Sequence, residues 1–145
     1  MNFKAISYYL SLFCFPVSFL SFVNILYSSY FDYFLNIESY TFTLIISLSI
    51  SSLLYIAGKN SIKKLSFFEQ VSLILAVYIV SSILISVPYY LSIYQITFIN
   101  ALFESFSGIT STGFTIFENI KYLDPTLILW RSSSQWIGGL YFFIF

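Results

Sequence analysis

The sequence predicts an all-α membrane protein: an N-terminal transmembrane hairpin, then a helix, a half-helix that enters the bilayer and turns back, and a last helix that is incomplete. Three observations predict it. Hydrophobic residues make up 59% of the 145 and charged residues 8%, with a mean hydropathy of +0.88, so the usual prior of one soluble domain at this length fails. The six basic and six acidic residues fall at Lys4, Asp32, Glu38, Lys59, Lys63, Lys64, Glu69, Glu104, Glu118, Lys121, Asp124 and Arg131, and the long uncharged runs between them set out the topology. The stretch from Asn100 to Gly113 is apolar enough for a membrane, yet it is shorter than the roughly 20 residues a spanning helix needs.

The run from Ala5 to Phe31 carries no charge and is long enough to be the first transmembrane helix. A signal peptide competes for this run because Lys4 precedes it, but the stretch is too long and no small-x-small cleavage site follows. It is expected to stay attached. Pro16 lies inside the run and should kink the helix. A short acidic connection, Asp32 to Glu38, leads to a second uncharged run, Ser39 to Gly58, and the two helices should form a hairpin.

Lys59, Lys63 and Lys64 follow the second span, whereas the first connection holds only acids. The positive-inside rule therefore puts Lys4 and the lysine loop in the cytoplasm and the 32–38 loop outside. Lys63 and Lys64 read chiefly as topology determinants, with contact to anionic membrane lipids as the lesser role. The charge-free run from Gln70 to Phe103 is longer than one span and must be divided. Pro88, followed by Tyr89, Tyr90, Ser92, Tyr94 and Gln95, supplies a breaker and interfacial side chains. A third span from near Phe67 to about Pro88, or a turn beyond, should thus lead outward.

Ile96 to Ile109 can then form a short helix descending from outside, with Thr97 or Asn100 near its start and Gly108 near its end. Backbone at membrane depth that is not helical survives only where it is buried in protein or lines a watery path. A Thr/Ser/Gly loop at such a place points to an ion path. Asp124-Pro125 reads as a cap followed by proline in the first turn of another helix, running from Thr126 toward Phe145. No basic tail follows that inward-going helix, which by the same positive-inside logic predicts a chain cut short.

Composition excludes several functions. With no histidine and one cysteine, Cys14, the chain builds no His/Cys zinc site, no internal disulfide and no His-based triad. Cys14 sits in an apolar run and reads as packing. A net charge of zero argues against a nucleic-acid partner, which needs a basic face. An enzyme at the membrane interface would have only Glu69, Glu118, Lys121 and Asp124 to draw on, and none forms a convincing pair, so no covalent catalysis is expected.

Helix, half-helix, glycine loop and helix follow one another as in a potassium-channel pore unit, where loop carbonyls replace the hydration shell of the ion. The loop here is Thr110-Ser111-Thr112-Gly113-Phe114-Thr115. Gly113 allows a positive φ that a side chain would penalise, and the loop has no carboxylate, which suits a monovalent cation. Glu104 and Arg131 are the two charges expected within or near the membrane, where ionised groups are costly and usually paired. They are expected to pair with each other behind the loop as a scaffold, without touching the ion. Gly138 and Gly139 read as sites of close helix approach.

Ala101-Leu-Phe-Glu-Ser-Phe-Ser-Gly-Ile-Thr-Ser-Thr-Gly-Phe-Thr, then Leu123-Asp-Pro, then Leu129-Trp-Arg-Ser-Ser-Ser-Gln-Trp-Ile-Gly-Gly-Leu resemble the first pore repeat of the Trk/Ktr/HKT potassium-transporter superfamily, and its TrkH branch most closely. The likeness is dense over residues 97–141, and two extra N-terminal helices fit that branch. The resemblance implies residues 1–66 as a transmembrane hairpin with a basic cytoplasmic loop and residues 67–145 as a first, incomplete pore repeat. It further implies potassium uptake across a bacterial inner membrane, with loop 110–115 as one quarter of a selectivity filter. Gly113 takes the place of the filter glycine, and Thr110, Ser111 and Thr112 the preceding positions, with K+ at Ser111 and Thr112.

Potassium is then the transported ion and no cofactor is needed. The implied partners are membrane lipids, a second copy of the complete chain, and a cytoplasmic nucleotide-binding regulatory subunit. Glycine at position 113 leans toward potassium, since serine at that place goes with sodium transport in plant relatives. Two departures stand out: Ser111 where threonine is common, and Tyr141, just past the glycine pair, where another glycine is frequent. The alternative from another class is a small accessory or nonfunctional truncated membrane protein without transport activity.

Overall fold

The computed structural model of the chain describes residues 2–61 and 64–144, so Lys63 and the final Phe145 lie outside the described residues. All regular structure among them is helical: α1 Phe3–Tyr30, α2 Ile37–Gly58, α3 Phe67–Tyr90, α4 Phe98–Ile109, a 3₁₀ turn Ile120–Tyr122, and α5 Pro125–Ile144. The fold is therefore all-α, and α1, α2 and α3 are each long and apolar enough to cross a membrane. Helix α5 has the length of a span, 20 residues, but Arg131 to Gln135 interrupts its apolar run with one charge and four polar side chains.

Local signals place the boundaries. Asn2 caps α1, its side chain accepting from the Ala5 N–H at 3.2 Å. Glu69 closes the start of α3 by accepting from the Ser66 N–H at 2.9 Å, the carboxylate arm of a capping box. Its other oxygen accepts from the Asn2 N–H, which binds the start of α1 to the start of α3. Thr97 caps α4, accepting from the Asn100 N–H at 3.3 Å. Asp124 caps α5, accepting from the Thr126 N–H at 2.7 Å.

The hairpin α1–α2 is packed through small side chains. The buried face of α2 is Ser39, Tyr40, Thr43, Ser47, Ser51 and Gly58, while Phe42, Ile45, Leu53 and Ile56 point outward. Lipid is as apolar as those side chains, so burying them between helices gains little, and small residues that let backbones approach decide the interface. Ser51 donates across it to the Ser11 carbonyl at 2.9 Å. At Gly58 a Cβ would overlap the backbone of Lys4 and Tyr8.

Ties between loops sort the chain ends. The Ile93 N–H donates to Asn36 Oδ1 at 3.4 Å, joining the α1–α2 and α3–α4 connections. The Asp124 N–H donates to Tyr94 Oη at 2.7 Å, and the Tyr94 and Phe117 rings meet edge to face at 6.0 Å. Thr97 and Asp124 therefore stand at the same end of the molecule, and everything between them goes in and comes back. The 12 residues of α4 extend about 18 Å, well short of the roughly 30 Å hydrocarbon thickness. The Asn2–Glu69 contact lies at the other end, with Lys4, Lys59 and Lys64 exposed.

Candidate functional site

Helix α4 packs between α3 and α5, burying Ala101, Glu104, Ser105, Ser107, Gly108 and Ile109. Spacing of three and four puts these on one face of a helix. Two glycines let α4 and α5 approach closely, Gly108 against a side chain and Gly138 against backbone. A Cβ on Gly108 would overlap the Ser134 hydroxyl, and one on Gly138 would overlap the backbone of Ile109. Gly139 has open space beside it, so of the expected pair only Gly138 is a point of close approach.

The loop opens as the C-cap of α4. The Ser111 N–H donates to the Gly108 carbonyl at 2.9 Å and the Thr112 N–H to the Ser107 carbonyl at 3.1 Å, the two bonds of a Schellman motif. Ser111 holds the left-handed position, φ 55°, and its hydroxyl donates to the Gln135 carbonyl of α5 at 3.0 Å. Thr110 Oγ1 donates to the Phe106 carbonyl at 2.6 Å, and Thr112 Oγ1 to the Ser107 carbonyl at 3.3 Å. All three hydroxyls thus donate into protein. Gly113 follows at φ 80° with nothing near a would-be Cβ, so glycine is required there by backbone conformation and not by crowding.

Behind the loop, Glu104 is fully buried and Arg131 nearly so. The two form an ion pair through Arg131 Nη1 and Glu104 Oε2. The other carboxylate oxygen, Oε1, accepts from the Ile116 N–H at 2.6 Å. Arg131 Nη2 donates to the carbonyls of Gly113 and Phe114 at 3.0 and 3.1 Å, and Ser107 Oγ donates to that same Phe114 carbonyl at 2.6 Å. Burying a charge pair is costly unless its remaining donors and acceptors are used, and here they are used on the loop backbone. Among the described residues no donor serves the carbonyls of Thr110, Ser111 and Thr112, and residues 110–114 are exposed. The loop therefore offers uncharged backbone oxygens on one side and is braced by a neutralised ion pair on the other.

Sequence reasoning missed Ser107, whose side chain and carbonyl both hold the loop, and the Gln135 carbonyl, which no side-chain pattern reveals. It also missed the support behind Arg131. Trp130 is fully buried, its ring 5.7 Å from that of Tyr40, and Tyr40 Oη lies 3.0 Å from Thr126 Oγ1. Tyr141 docks on α1, its hydroxyl donating to the Phe13 carbonyl.

A short helix that goes partway in, ends in a braced loop of free carbonyls and returns beside its own start defines a multi-pass membrane protein of the re-entrant-loop kind. The chain belongs to the TrkH cation transport protein family, whose model matches residues 36–145. It is 38% identical over 63 residues to an uncharacterized cation transporter of Methanocaldococcus jannaschii, covering 43% of this chain and 13% of that protein. It is 47% identical over 55 residues to the Trk system potassium uptake protein TrkI of Halomonas elongata, covering 38% and 11%. With the Trk system potassium uptake protein TrkH of Escherichia coli it shares 28% identity over 104 residues, covering 71% and 22%. The chain thus matches less than a quarter of the length of each of these relatives. No solved structure matches it.

Proposed function

We propose that this chain supplies the first pore unit of a potassium uptake transporter of a bacterial inner membrane. Residues 1–66 form its N-terminal hairpin and residues 67–145 its first pore repeat. Loop 110–115 is one quarter of a selectivity filter, in which Thr110, Ser111, Thr112 and Gly113 face the ion and K+ sits at Ser111 and Thr112. Glu104 and Arg131 hold the loop from behind. The N-terminus is cytoplasmic, which puts Lys4, Lys59 and Lys64 on the inner side and lets α4 descend from outside. The complete protein is a homodimer working with a cytoplasmic nucleotide-binding regulatory subunit.

One observation carries this reading: the carbonyls of Thr110, Ser111 and Thr112 are free among the described residues, while the next two are fixed by a buried arginine. Neutral oxygens held by rigid backbone can stand in for the water around a monovalent cation. The relatives named as potassium uptake proteins support potassium as the ion.

The test places this chain at the head of a complete Trk transporter, in place of the matching part of the Escherichia coli protein, in cells that lack potassium uptake. Restored potassium uptake is expected, and Gly113→Ser should raise sodium permeation relative to potassium. A permeability ratio unmoved by that substitution would remove loop 110–115 from the filter.

A further inference from the structure

Two contacts of α5 share one geometry. Trp130 Nε1 donates at 3.1 Å to the carbonyl of Ile85, which precedes Pro88 by three residues. Tyr141 Oη donates to the carbonyl of Phe13, which precedes Pro16 by three residues. Both prolines lie inside helices, and both aromatic side chains are buried. A proline gives no N–H to the carbonyl four residues before it, here Leu84 and Leu12, and its ring crowds that carbonyl, so the turn is opened and the next carbonyl, Ile85 or Phe13, is held less well by its own helix. Lipid cannot serve a carbonyl loosened in this way, and a neighbouring side chain can. In this chain the same neighbour, α5, donates to a carbonyl of both proline turns.

We propose that Pro88 with Trp130 and Pro16 with Tyr141 are keyed pairs that fix the height and rotation of α5, and that Trp130 is thereby a positioning residue for the filter loop. The route is short. Arg131 follows Trp130 directly, and neighbouring residues on a helix point about 100° apart. Holding the Trp130 ring on the Ile85 carbonyl therefore holds the Arg131 guanidinium on Glu104 and on the carbonyls of Gly113 and Phe114. The Tyr141 pair acts further along α5, against α1, and sets the tilt of the helix without reaching the loop. The keying stands on geometry alone; its effect on ions rests on the reading of loop 110–115 as a filter.

The experiment is a pair of double-substitution cycles, W130F with P88A and Y141F with P16A, with the crossed doubles as controls. Thermal unfolding of the chain itself in detergent reads the keying. The K+/Na+ preference of the complete transporter carrying the chain reads the positioning. Matched doubles should be non-additive in unfolding temperature, because a turn relieved of its proline closes and holds the Ile85 or Phe13 carbonyl within its own helix, leaving less need of the ring, while crossed doubles should add.

W130F should lower the K+/Na+ preference roughly threefold or more, and less than about twofold when P88A is already present. Y141F should leave the preference in place. Additive matched doubles would overturn the keying. Non-additive unfolding with a K+/Na+ preference untouched by W130F would overturn the positioning role. If the unsubstituted chain supports no uptake, the transport reading fails, and the unfolding cycles still decide whether the keyed pairs exist.

Discussion

The α1–α2 hairpin and the α4–loop–α5 unit are both polar seams between apolar helices, but they are closed by different means. In the hairpin most hydroxyls are spent within their own helix, as with Ser39 on Asn36, Thr43 on Ser39 and Ser47 on Leu44. What joins the two helices is close approach, at Gly58 above all, helped by a crossing bond from Ser51. In the second unit every polar group of the Glu104–Arg131 pair that forms a bond reaches across to another segment. The first seam asks chiefly for small size, down to glycine at position 58, whereas the second depends on particular donors and acceptors. Substitutions in the hairpin should therefore lower stability by degrees, and those behind the loop should act all at once.

The largest expected effect follows from Arg131→Ala. It strands a fully buried carboxylate, releases the Gly113 carbonyl and leaves the Phe114 carbonyl to Ser107 alone, and breaking a buried ion pair from one side costs about 3–5 kcal/mol. Arg131→Lys should not rescue it, because an ammonium cannot serve Glu104 and two carbonyls with one planar fork. Glu104→Gln should be milder, since an amide oxygen still accepts from the Ile116 N–H. Thermal unfolding in detergent measures all three. A loss for Arg131→Ala under about 1 kcal/mol, the level of an exposed pair, would place the two regions on the same footing.

Next come the glycines of α5, which sharpen the comparison because they are neighbours in sequence and opposites in space. Gly138→Ala pushes a methyl group into the Ile109 backbone, where the end of α4 turns into the loop, and overpacking of that kind costs about 1–3 kcal/mol. Gly139→Ala meets open space and should be neutral or slightly stabilising, as alanine is the better helix former by about 1 kcal/mol. Unfolding temperatures that fall equally for the two would mean that α4 and α5 are not in backbone contact at Gly138.

Much of this architecture is legible in the sequence, and the reason is electrical. With so few charges, the uncharged runs mark the helices, and Pro88 and Asp124-Pro125 mark where chain leaves and re-enters them. Glu104 and Arg131 could be paired on paper because the apolar stretches hold no other charge that could answer either one. The expected start of the second helix at Ser39 and its observed start at Ile37 differ by the helical geometry of the acidic connection, which the charge of Glu38 conceals.

The hairpin seam was not legible, because a lipid-facing helix hides its small polar side chains and shows its large apolar ones, which removes the amphipathic signal. Nor were the loop's supports, since the groups that Arg131, Ser111 and Ser107 hold are backbone carbonyls, and a carbonyl has no signature in the sequence. The 3₁₀ turn Ile120–Tyr122, with the Asn119 side chain accepting from the Lys121 N–H at 3.1 Å, was equally unforeseen within the polar stretch before Asp124. Tyr141 could be noted as a departure from the family pattern, but its place on the Phe13 carbonyl depends on the crossing of α5 with α1.

The smallest expected effect is also the cleanest comparison, because the same chemical change can be made in both regions. Ser51→Ala removes its hydroxyl bond across the hairpin to Ser11, and Ser107→Ala removes the hydroxyl bond to the Phe114 carbonyl. Hydrogen bonds between membrane helices average about 0.6 kcal/mol, so the two variants should melt within measurement error of each other. They should part in transport. In the hairpin the freed Ser11 carbonyl belongs to a regular helix and nothing downstream moves, so uptake and ion preference should match the parent. In the loop the freed carbonyl is one of the two that Arg131 also holds, and its neighbour belongs to Gly113, so the K+/Na+ preference should fall at nearly constant stability. Equal ion preference in the two variants would mean that Arg131 alone fixes the loop; a shift in Ser51→Ala alone would mean that the hairpin, and not the ion pair, sets the loop's shape.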